Sequence, residues 1–358
     1  MKSRVHPKYK TQYRVSNWPD YDQSLVQGGD LTIWISADAI AAWVPDHTGQ
    51  RGGQRRYSDL AIETALVLRL VFHLPLRQAE GFLRSVLEMM ELDLDAPDHT
   101  TLSRRSRRLN VELRPAGSRR GRHLIVDSTG LSIVGQGEWA AAKHGGKGIR
   151  GWKKLHLGVD ECGMIVAEQL TDSGADDAAT APQLLNQIDG RIRRIVADGA
   201  YDERSIYEAG KANRAVVVVP PSEKAVRARQ LSAPHPARDR VVAHVRRIGL
   251  RNWKKRRGWH QQARVENTMY RYKRIIGSAL RARHPDGQGV EARLACSILN
   301  RMTAMGRPER GWDRYPPDPG TRGRGRSRGR HTPGPALGAA GHAPGSRGSA
   351  RGGRRCCP

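Results

Sequence analysis

The sequence predicts an α/β protein, in which a mixed sheet flanked by helices follows a mostly helical segment and precedes a tail. Up to about residue 115, apolar residues recur at helical spacing, and from residue 120 they form short apolar or alternating runs. Several early strands are then followed by alternating helices and strands, which is typical of a mixed sheet. After residue 305 the composition changes abruptly. We therefore expect domains at 1–115 and 120–305 and a tail at 306–358.

The N-terminal segment carries signals for two successive helices. Ser58 and Asp59 are suited to cap a helix that Pro75 would end. A second segment, at 77–92, has its apolar residues on one face. These patterns predict a small helical domain.

A basic segment at 98–109 follows these helices. Asp98 or Thr100 is a suitable N-cap, and Leu102 and Leu109 would face inward. The opposite side carries four arginines, namely Arg104, Arg105, Arg107 and Arg108. A short helix, a turn and a basic helix resemble a helix-turn-helix, whose second helix enters the major groove. We expect these arginines to contact DNA, the alternative being a solvated basic face on an ordinary helical bundle.

The second domain should contain the sheet. Strands are expected at 123–127, at 131–134 after a turn, and at 152–160, 164–170, 194–198 and 215–219. Helices are expected at 176–188, 202–214 and 264–276.

The tail at 306–358 has almost nothing apolar to bury, so disorder is expected. Its 53 residues include 13 Gly, 8 Pro and 12 Arg, with no Lys. One interpretation is an Arg-Gly tail that holds nucleic acid loosely. The favoured one is a GC-rich reading frame translated after a shift, which produces this composition without selection for function.

The chain is strongly basic, with 62 Lys and Arg against 35 acidic residues and a formal net charge of +27. Without the tail the surplus is still 50 basic minus 32 acidic residues, or 18. Such a surplus indicates a polyanionic partner, because neutralising phosphates releases counterions. A solubilising or ribosome-associated surface is the alternative.

Cysteine spacing and hydropathy set the expected compartment. The four cysteines form no C-x-x-C pair, so neither a zinc site nor a disulfide framework is indicated. The first 20 residues lack the apolar core of a signal peptide, and no apolar stretch is long enough to span a membrane. We expect a cytoplasmic, nucleoid-associated protein.

Two aspartates share one sequence context. Asp127 and Asp198 each follow an apolar, β-branched run and precede a small residue, which predicts an acid at the carboxyl end of a buried strand. Ligands of open α/β sheets bind at that edge, and Mg²⁺ is held by one or two carboxylates together with waters and phosphates. On a later helix, Glu266, Tyr270 and Lys273 fall on one face. An acid would thus face a second metal ion, and a base a phosphate.

These blocks resemble a known family. The opening 17–21, the segments 98–104, 126–130 and 152–157, and the acidic blocks 196–202 and 265–273 resemble bacterial insertion-sequence transposases of the DDE superfamily, in the group named after insertion sequence five. The resemblance covers about residues 10–305.

The resemblance implies a ribonuclease-H-like fold and a transposase. It places Asp127 on the first strand of that fold, Asp198 on the fourth and Glu266 on a late helix. It implies that Lys273 replaces the family's Lys seven residues after the Glu. Mg²⁺, with Mn²⁺ as a substitute, would be the cofactor. The expected partners are double-stranded DNA, both terminal inverted repeats and target, and a second copy of the chain on paired ends.

Three positions depart from the family pattern. Trp259 and Gln262 stand where the family has a Tyr and an Arg before the Glu, and Gly28 stands where relatives more often have Arg. Gln cannot grip a phosphate as Arg does. One alternative is therefore a catalytically decayed copy, or a repressor, that acts only by binding DNA. Another is a nuclease or RNA-processing enzyme of the same fold, which would cut without joining.

Overall fold

The computed structural model describes residues 13–46, 49, 53–113, 121–135, 151–227, 235–308 and 310–312. These residues fall in two compact units. One contains an antiparallel ladder of β1 (Tyr13–Val15) and β8 (Arg310–Trp312). The other is Asp20–Arg307, which holds the rest of the fold.

The predicted helical segment is confirmed. Its helices are α1 (Trp18–Gln27), α2 (Leu31–Trp34), α3 (Ala37–Ala41), α4 (Asp59–Val71), α5 (Leu76–Met89) and α6 (His99–Arg105). Ser58 caps α4 by accepting a hydrogen bond from the amide of Ala61 at 3.0 Å. Asp98 caps α6 in the same way, through the amides of Thr100 and Thr101.

The predicted mixed sheet is also confirmed. Its strands are β2 (Arg122–Ile133), β3 (Trp152–Val159), β4 (Ile165–Asp172), β5 (Ile192–Val196), β6 (Val216–Val218) and β7 (Ala279–Leu280). The spatial order is β4-β3-β2-β5-β6, and β7 also pairs with β2. The pairs β2–β3 and β3–β4 are antiparallel, whereas β2–β5, β5–β6 and β2–β7 are parallel.

Helices cover both faces of this sheet. They are α7 (Asp177–Leu185), α8 (Arg204–Ala212), α9 (Glu223–Arg227), α10 (Pro236–Ile248), α11 (Leu250–Arg257), α12 (Ala263–Ile275) and α13 (Pro285–Met305). On one face, α7 and α8 bury the side chains of Leu124 and Val126. On the other, α12, α13 and the N-terminal helices α4 to α6 form one continuous core with Ile125 and Leu157. Residues 114–120, at the predicted domain boundary, lie outside the described residues, and the functional division between 1–115 and 120–305 stays a prediction.

Strand β2 differs from its prediction. A turn was expected between 127 and 131, but β2 continues to Ile133 because β3 pairs with it throughout, from Ile125↔Val159 to Ser132↔Trp152. Asp127 therefore lies within β2, not at its end.

The predicted helix-turn-helix also differs in detail. Nine residues, 90–98, separate α5 from α6, which is longer than the three- or four-residue turn of that motif. Helix α6 ends at Arg105, so Arg107 and Arg108 lie beyond it. Leu102 and Leu109 are buried as expected.

Most of the predicted tail, 313–358, lies outside the described residues. Strand β8 (Arg310–Trp312) lies within the predicted tail at 306–358 and pairs with β1, so disorder was the wrong prediction for these three residues. Among the described helices, none is long and apolar enough to cross a bilayer.

Asn300 joins the longest described helix, α13, to the edge strand β4. Its buried side chain donates to the carbonyl of Ile165 and accepts from the amide of the same residue, both at 2.8 Å. The register of β4 shifts against β3 between Gly158 and Val159, beside this point. One side chain therefore pairs both backbone groups of Ile165.

We expect Asn300→Ala to destabilise the protein by about 2–4 kcal/mol, since two buried backbone groups would lose their partner. Chemical denaturation of both proteins measures this difference. Asn252→Ala removes an exposed amide that donates to the carbonyl of Ile248, and should change stability by less than about 0.5 kcal/mol. Equal effects of the two changes would show that Asn300 does not carry this contact.

Candidate active site

The parallel register of β2 and β5 places two acids side by side. The last pair between these strands is Ile125↔Val196. Asp127 and Asp198 each follow two residues later, so both side chains point to the same face as Ile125 and Val196. Neighbouring strands lie about 4.8 Å apart, which brings the two carboxylates to one place at the carboxyl edge of the parallel pair.

Local hydrogen bonds orient both carboxylates. Asp198 caps a 3₁₀ turn, Gly199–Tyr201, by accepting from the amide of Ala200 at 3.0 Å. Asp127 accepts from the amide of Ser128 at 2.8 Å. Both aspartates are half-buried. Asp198 follows the end of β5, as predicted. Asp127 follows the end of the β2–β5 pairing, but β2 itself continues past it in its pairing with β3.

A buried ion pair holds the chain just after Asp198. Arg238 at the start of α10 donates from Nε and Nη2 to the two carboxylate oxygens of Asp202, at 3.0 and 2.8 Å. The hydroxyl of Tyr207 donates to the same carboxylate at 3.0 Å. Asp202 belongs to the sequence block of Asp198, but its charge is already neutralised, so it is not a free metal ligand.

Glu266 lies in the first turn of α12, on the same face of the sheet. Val265, Met269 and Tyr272 pack α12 into the core that contains Ile125. Glu266 itself is exposed, as are Tyr270 and Lys273 further along the helix. The strand, strand and helix context predicted for the three acids is therefore present, and none of them lies on the opposite face.

The three acids share an electrostatic field. Burial raises the pKa of the Asp127 carboxyl to about 6, and the negative charges of Asp198, Glu266 and Asp177 add to the rise. The hydrogen bond from the amide of Ser128 opposes it. A cation bound beside Asp127 would oppose this rise, because it favours the charged carboxylate.

Two family models, both described as Transposase DDE domain, match the chain. One covers residues 26–136 and the other residues 118–301, which is just over half of the 358 residues. The chain belongs to the DDE transposases. It is thus a metal-dependent enzyme that cleaves and transfers DNA.

The acids of this transposase suit a divalent metal by their chemistry. Carboxylate oxygens are the ligands that Mg²⁺ prefers, and the charges of Asp198 and Glu266 act on the carboxylate of Asp127. In the conformation described, no three Asp, Glu, His or Cys side chains of the described ranges stand close enough together to hold one ion.

His156 on β3 does not face these acids. It lies opposite Ser128 in the register, so its side chain points to the other face of the sheet. Its Nε2 lies 2.8 Å from the hydroxyl oxygen of Thr171, and its Nδ1 lies 3.5 Å from the carboxylate of Asp177. The imidazole is fully buried, which favours a structural role.

The four arginines predicted to contact DNA have different surroundings. Arg104, Arg107 and Arg108 are exposed. Arg104 and Arg107 also line a groove between α5 and α6. Arg105 instead donates to the carbonyl of Tyr57 at 3.0 Å and pairs with the carboxylate of Asp59. Its guanidinium holds α6 to the start of α4, so it is less available to a phosphate than the other three.

Trp259 and Gln262, the departures from the family pattern, lie against the two aspartate strands. The indole N–H of Trp259 donates to the carbonyl of Ala197 at 3.0 Å. The side-chain amide of Gln262 donates to the carbonyl of Val126 at 3.2 Å. The sequence interpretation missed these bonds because both partners are backbone atoms distant along the chain.

Helix α11 is a basic surface that the sequence interpretation also missed. Residues 240–265 contain nine Lys and Arg and no acid. Five of these bases fall in α11 itself, a signal that a charge count along the chain would have found.

Proposed function

We propose that this transposase hydrolyses a phosphodiester at each end of its element and joins the freed 3′-OH to target DNA, with Asp127, Asp198 and Glu266 as its catalytic residues and metal ligands. The observation that carries the proposal is that Asp127 and Asp198 each follow two residues after the last β2–β5 pair, Ile125↔Val196. Its support is the shared electrostatic field of the three acids and the packing of α12 on the same face.

Each step exchanges one bond at phosphorus. In the first, a water oxygen bonds to phosphorus, the bond to the 3′ oxygen breaks, and the DNA leaves as a 3′-OH. In the second, that 3′ oxygen bonds to a phosphorus of the target, whose own 3′ oxygen leaves with a proton. Two divalent ions, Mg²⁺ with Mn²⁺ as a substitute, would activate the attacking oxygen and stabilise the leaving one.

The residues of the chain position the DNA for this exchange. Asp127 and Asp198 face the core side of the sheet edge, and Glu266 approaches from α12. Tyr270 and Lys273 continue the exposed side of α12, where Lys273 would meet a phosphate and Tyr270 the sugar or base beside it. Arg104, Arg107 and Arg108 would hold a more distant part of the duplex, with Arg105 fixing α6 beneath them.

The wider assignment rests on the resemblance of the sequence blocks. It includes membership of the group of insertion sequence five, recognition of terminal inverted repeats, a homodimer on paired ends, and action on the nucleoid in the cytoplasm. The alternative, a decayed copy that only binds DNA, is motivated by Trp259 and Gln262.

Asp127→Asn should abolish cleavage and strand transfer while leaving binding to the element end nearly intact, because it removes a charge the metal ions need and keeps the side-chain shape. A mini-element with Mg²⁺ measures cleavage and joining, and a gel shift at the same salt concentration measures binding. Asp189→Asn, at an exposed loop before β5, is the matched control and should behave like the wild type.

Each outcome decides between the alternatives. If Asp127→Asn still cuts, the acid assignment is wrong. A wild-type chain that binds ends without cutting them would support the decayed copy, and one that cuts without joining would support a nuclease.

Arg104→Ala with Arg107→Ala should weaken DNA binding and reduce the slope of log affinity against log salt by about one unit per lost phosphate contact. A salt series of gel shifts measures the slope. Arg105→Ala is the comparison, since losing its contacts to Asp59 and Tyr57 should lower the melting temperature and leave the slope unchanged. If the Arg104 and Arg107 pair is neutral, the α6 segment is not the DNA-binding surface.

A further inference from the structure

The sheet opens at the point where the acids lie. On the side of β2 that faces β5, pairing with β5 covers Arg122–Ile125 and pairing with β7 covers Ser132–Ile133. Between these ladders, residues 126–131 have no strand partner on that side within the described residues. Backbone carbonyls there need another donor, because an unpaired buried carbonyl is costly.

One 3₁₀ turn, Trp259–Gln262, supplies donors at this opening. Gln262 donates to the carbonyl of Val126, the residue before Asp127, and Trp259 donates to the carbonyl of Ala197, the residue before Asp198. The same turn leads directly into α12, which carries Glu266 four residues after Gln262. A single short segment thus touches the backbone at both aspartates and starts the helix of the third acid.

Both donors are held in place. Gln262 is only 1% exposed, and its Oε1 has no hydrogen-bond partner among the described residues. Burying this amide oxygen costs free energy, which the hydrogen bond from the amide nitrogen to Val126 offsets. The indole of Trp259 is covered by Lys254, whose Nζ lies 3.9 Å from the ring centroid. Neither side chain can turn away without losing these contacts.

We propose that Trp259 and Gln262 are positioning residues that set the separation and direction of the Asp127 and Asp198 carboxylates by holding the carbonyl before each one. The proposal rests on the proposed function of these acids as metal ligands. It gives both departures from the family pattern a role within the protein, where a phosphate-gripping Arg is replaced by an amide that fastens the strand.

The test separates metal binding from DNA binding and folding. Gln262→Met keeps the size of the side chain and removes its donor, and Trp259→Phe keeps an aromatic ring and removes the N–H. Mn²⁺ titration of DNA-free protein, followed by electron paramagnetic resonance of the free ion, should show about tenfold weaker binding in each variant, as is typical when a residue behind a ligand is lost. Cleavage should need correspondingly more Mn²⁺, while end binding stays close to that of the wild type. Because each change leaves a carbonyl without its donor, the melting temperature should fall somewhat, so Mn²⁺ binding is compared at a temperature where all variants are fully folded.

Gln261→Met, one position away in the same turn, is the control and should leave Mn²⁺ binding unchanged. Wild-type Mn²⁺ affinity in both Gln262→Met and Trp259→Phe would overturn the positioning role. If Asp127→Asn itself keeps full Mn²⁺ affinity, the metal-site proposal fails instead, so the two failures are distinguishable.

A second inference concerns the outer side of α11, which is strongly basic and belongs to a helix that is anchored in the core. Trp253 is only 1% exposed and fixes the helix to the core. Four exposed bases, Arg251, Lys255, Arg256 and Arg257, project from it. In the described part of the chain, none of these four side chains forms an ion pair.

Helix α11 is attached directly to the aspartate strands. Arg194 on β5 donates to the carbonyl of Arg257 at 2.8 Å, and Lys254 covers Trp259, which binds the carbonyl before Asp198. A phosphate bound on α11 would therefore lie on DNA that reaches the acids. We infer that the exposed side of α11 binds the phosphate backbone of the duplex being cut, which again rests on the proposed function of the acids.

Arg251→Gln with Lys255→Gln should lower the salt slope of end binding by about two units, one for each lost phosphate contact. Lys211→Gln with Arg214→Gln removes the same charge from exposed positions at the end of α8, which packs on the opposite face of the sheet, and should leave the slope nearly unchanged. Equal slopes for the two double variants would overturn this inference. Asp127→Asn tests the acids by cleavage, whereas the α11 variants are tested by the salt slope. A failure of the α11 inference would therefore leave the proposed function of the acids untouched.

Discussion

The geometry of the site depends on the place where β5 stops pairing with β2. Where Leu124 and Ile125 of β2 pair with Ile195 and Val196 of β5, the side chains are buried on both faces, and a carboxylate there would be costly. After Ile125↔Val196 the ladder ends, β7 resumes it only at Ser132, and the sheet opens between them. The first same-face positions after the last pair are Asp127 and Asp198, so the acids follow directly on a paired stretch and are themselves only half-buried.

Local pattern was enough to predict most strands and the place of Asp198 after one of them. Asp198 follows a short apolar run and is followed directly by Gly199, so the sequence alone predicts its position at the end of a strand. The predicted end of a strand at Asp127 was wrong because β3, whose pairing with β2 extends to Trp152, continues the strand through a stretch that resembles a turn. No prediction covered α13, although it carries the core on which α4 to α6 pack.

The bonds that complete the site could not be predicted from spacing. Gln262 reaches a carbonyl 136 residues earlier and Trp259 one that is 62 residues earlier. In comparison with the family signature, both residues are departures, and Gln262 is a lost phosphate contact. Only the folded chain brings them to the carbonyls of Val126 and Ala197. The same limit applies to Arg105, which reads as one of four equal bases until Asp59 is seen to neutralise it.

Charge is divided in a way that suits an enzyme acting on DNA. The grouped carboxylates would repel a phosphodiester, and the basic surfaces of α6 and α11 oppose that repulsion. Metal ions at the acids would complete the balance. Anomalous diffraction from crystals soaked in Mn²⁺ tests this account most directly. It predicts anomalous density for Mn²⁺ that is bonded to carboxylate oxygens of Asp127, Asp198 and Glu266 together. Mn²⁺ bound elsewhere would contradict it. A complex with DNA in which Mn²⁺ binds the aspartates while Glu266 is turned away would contradict it as well.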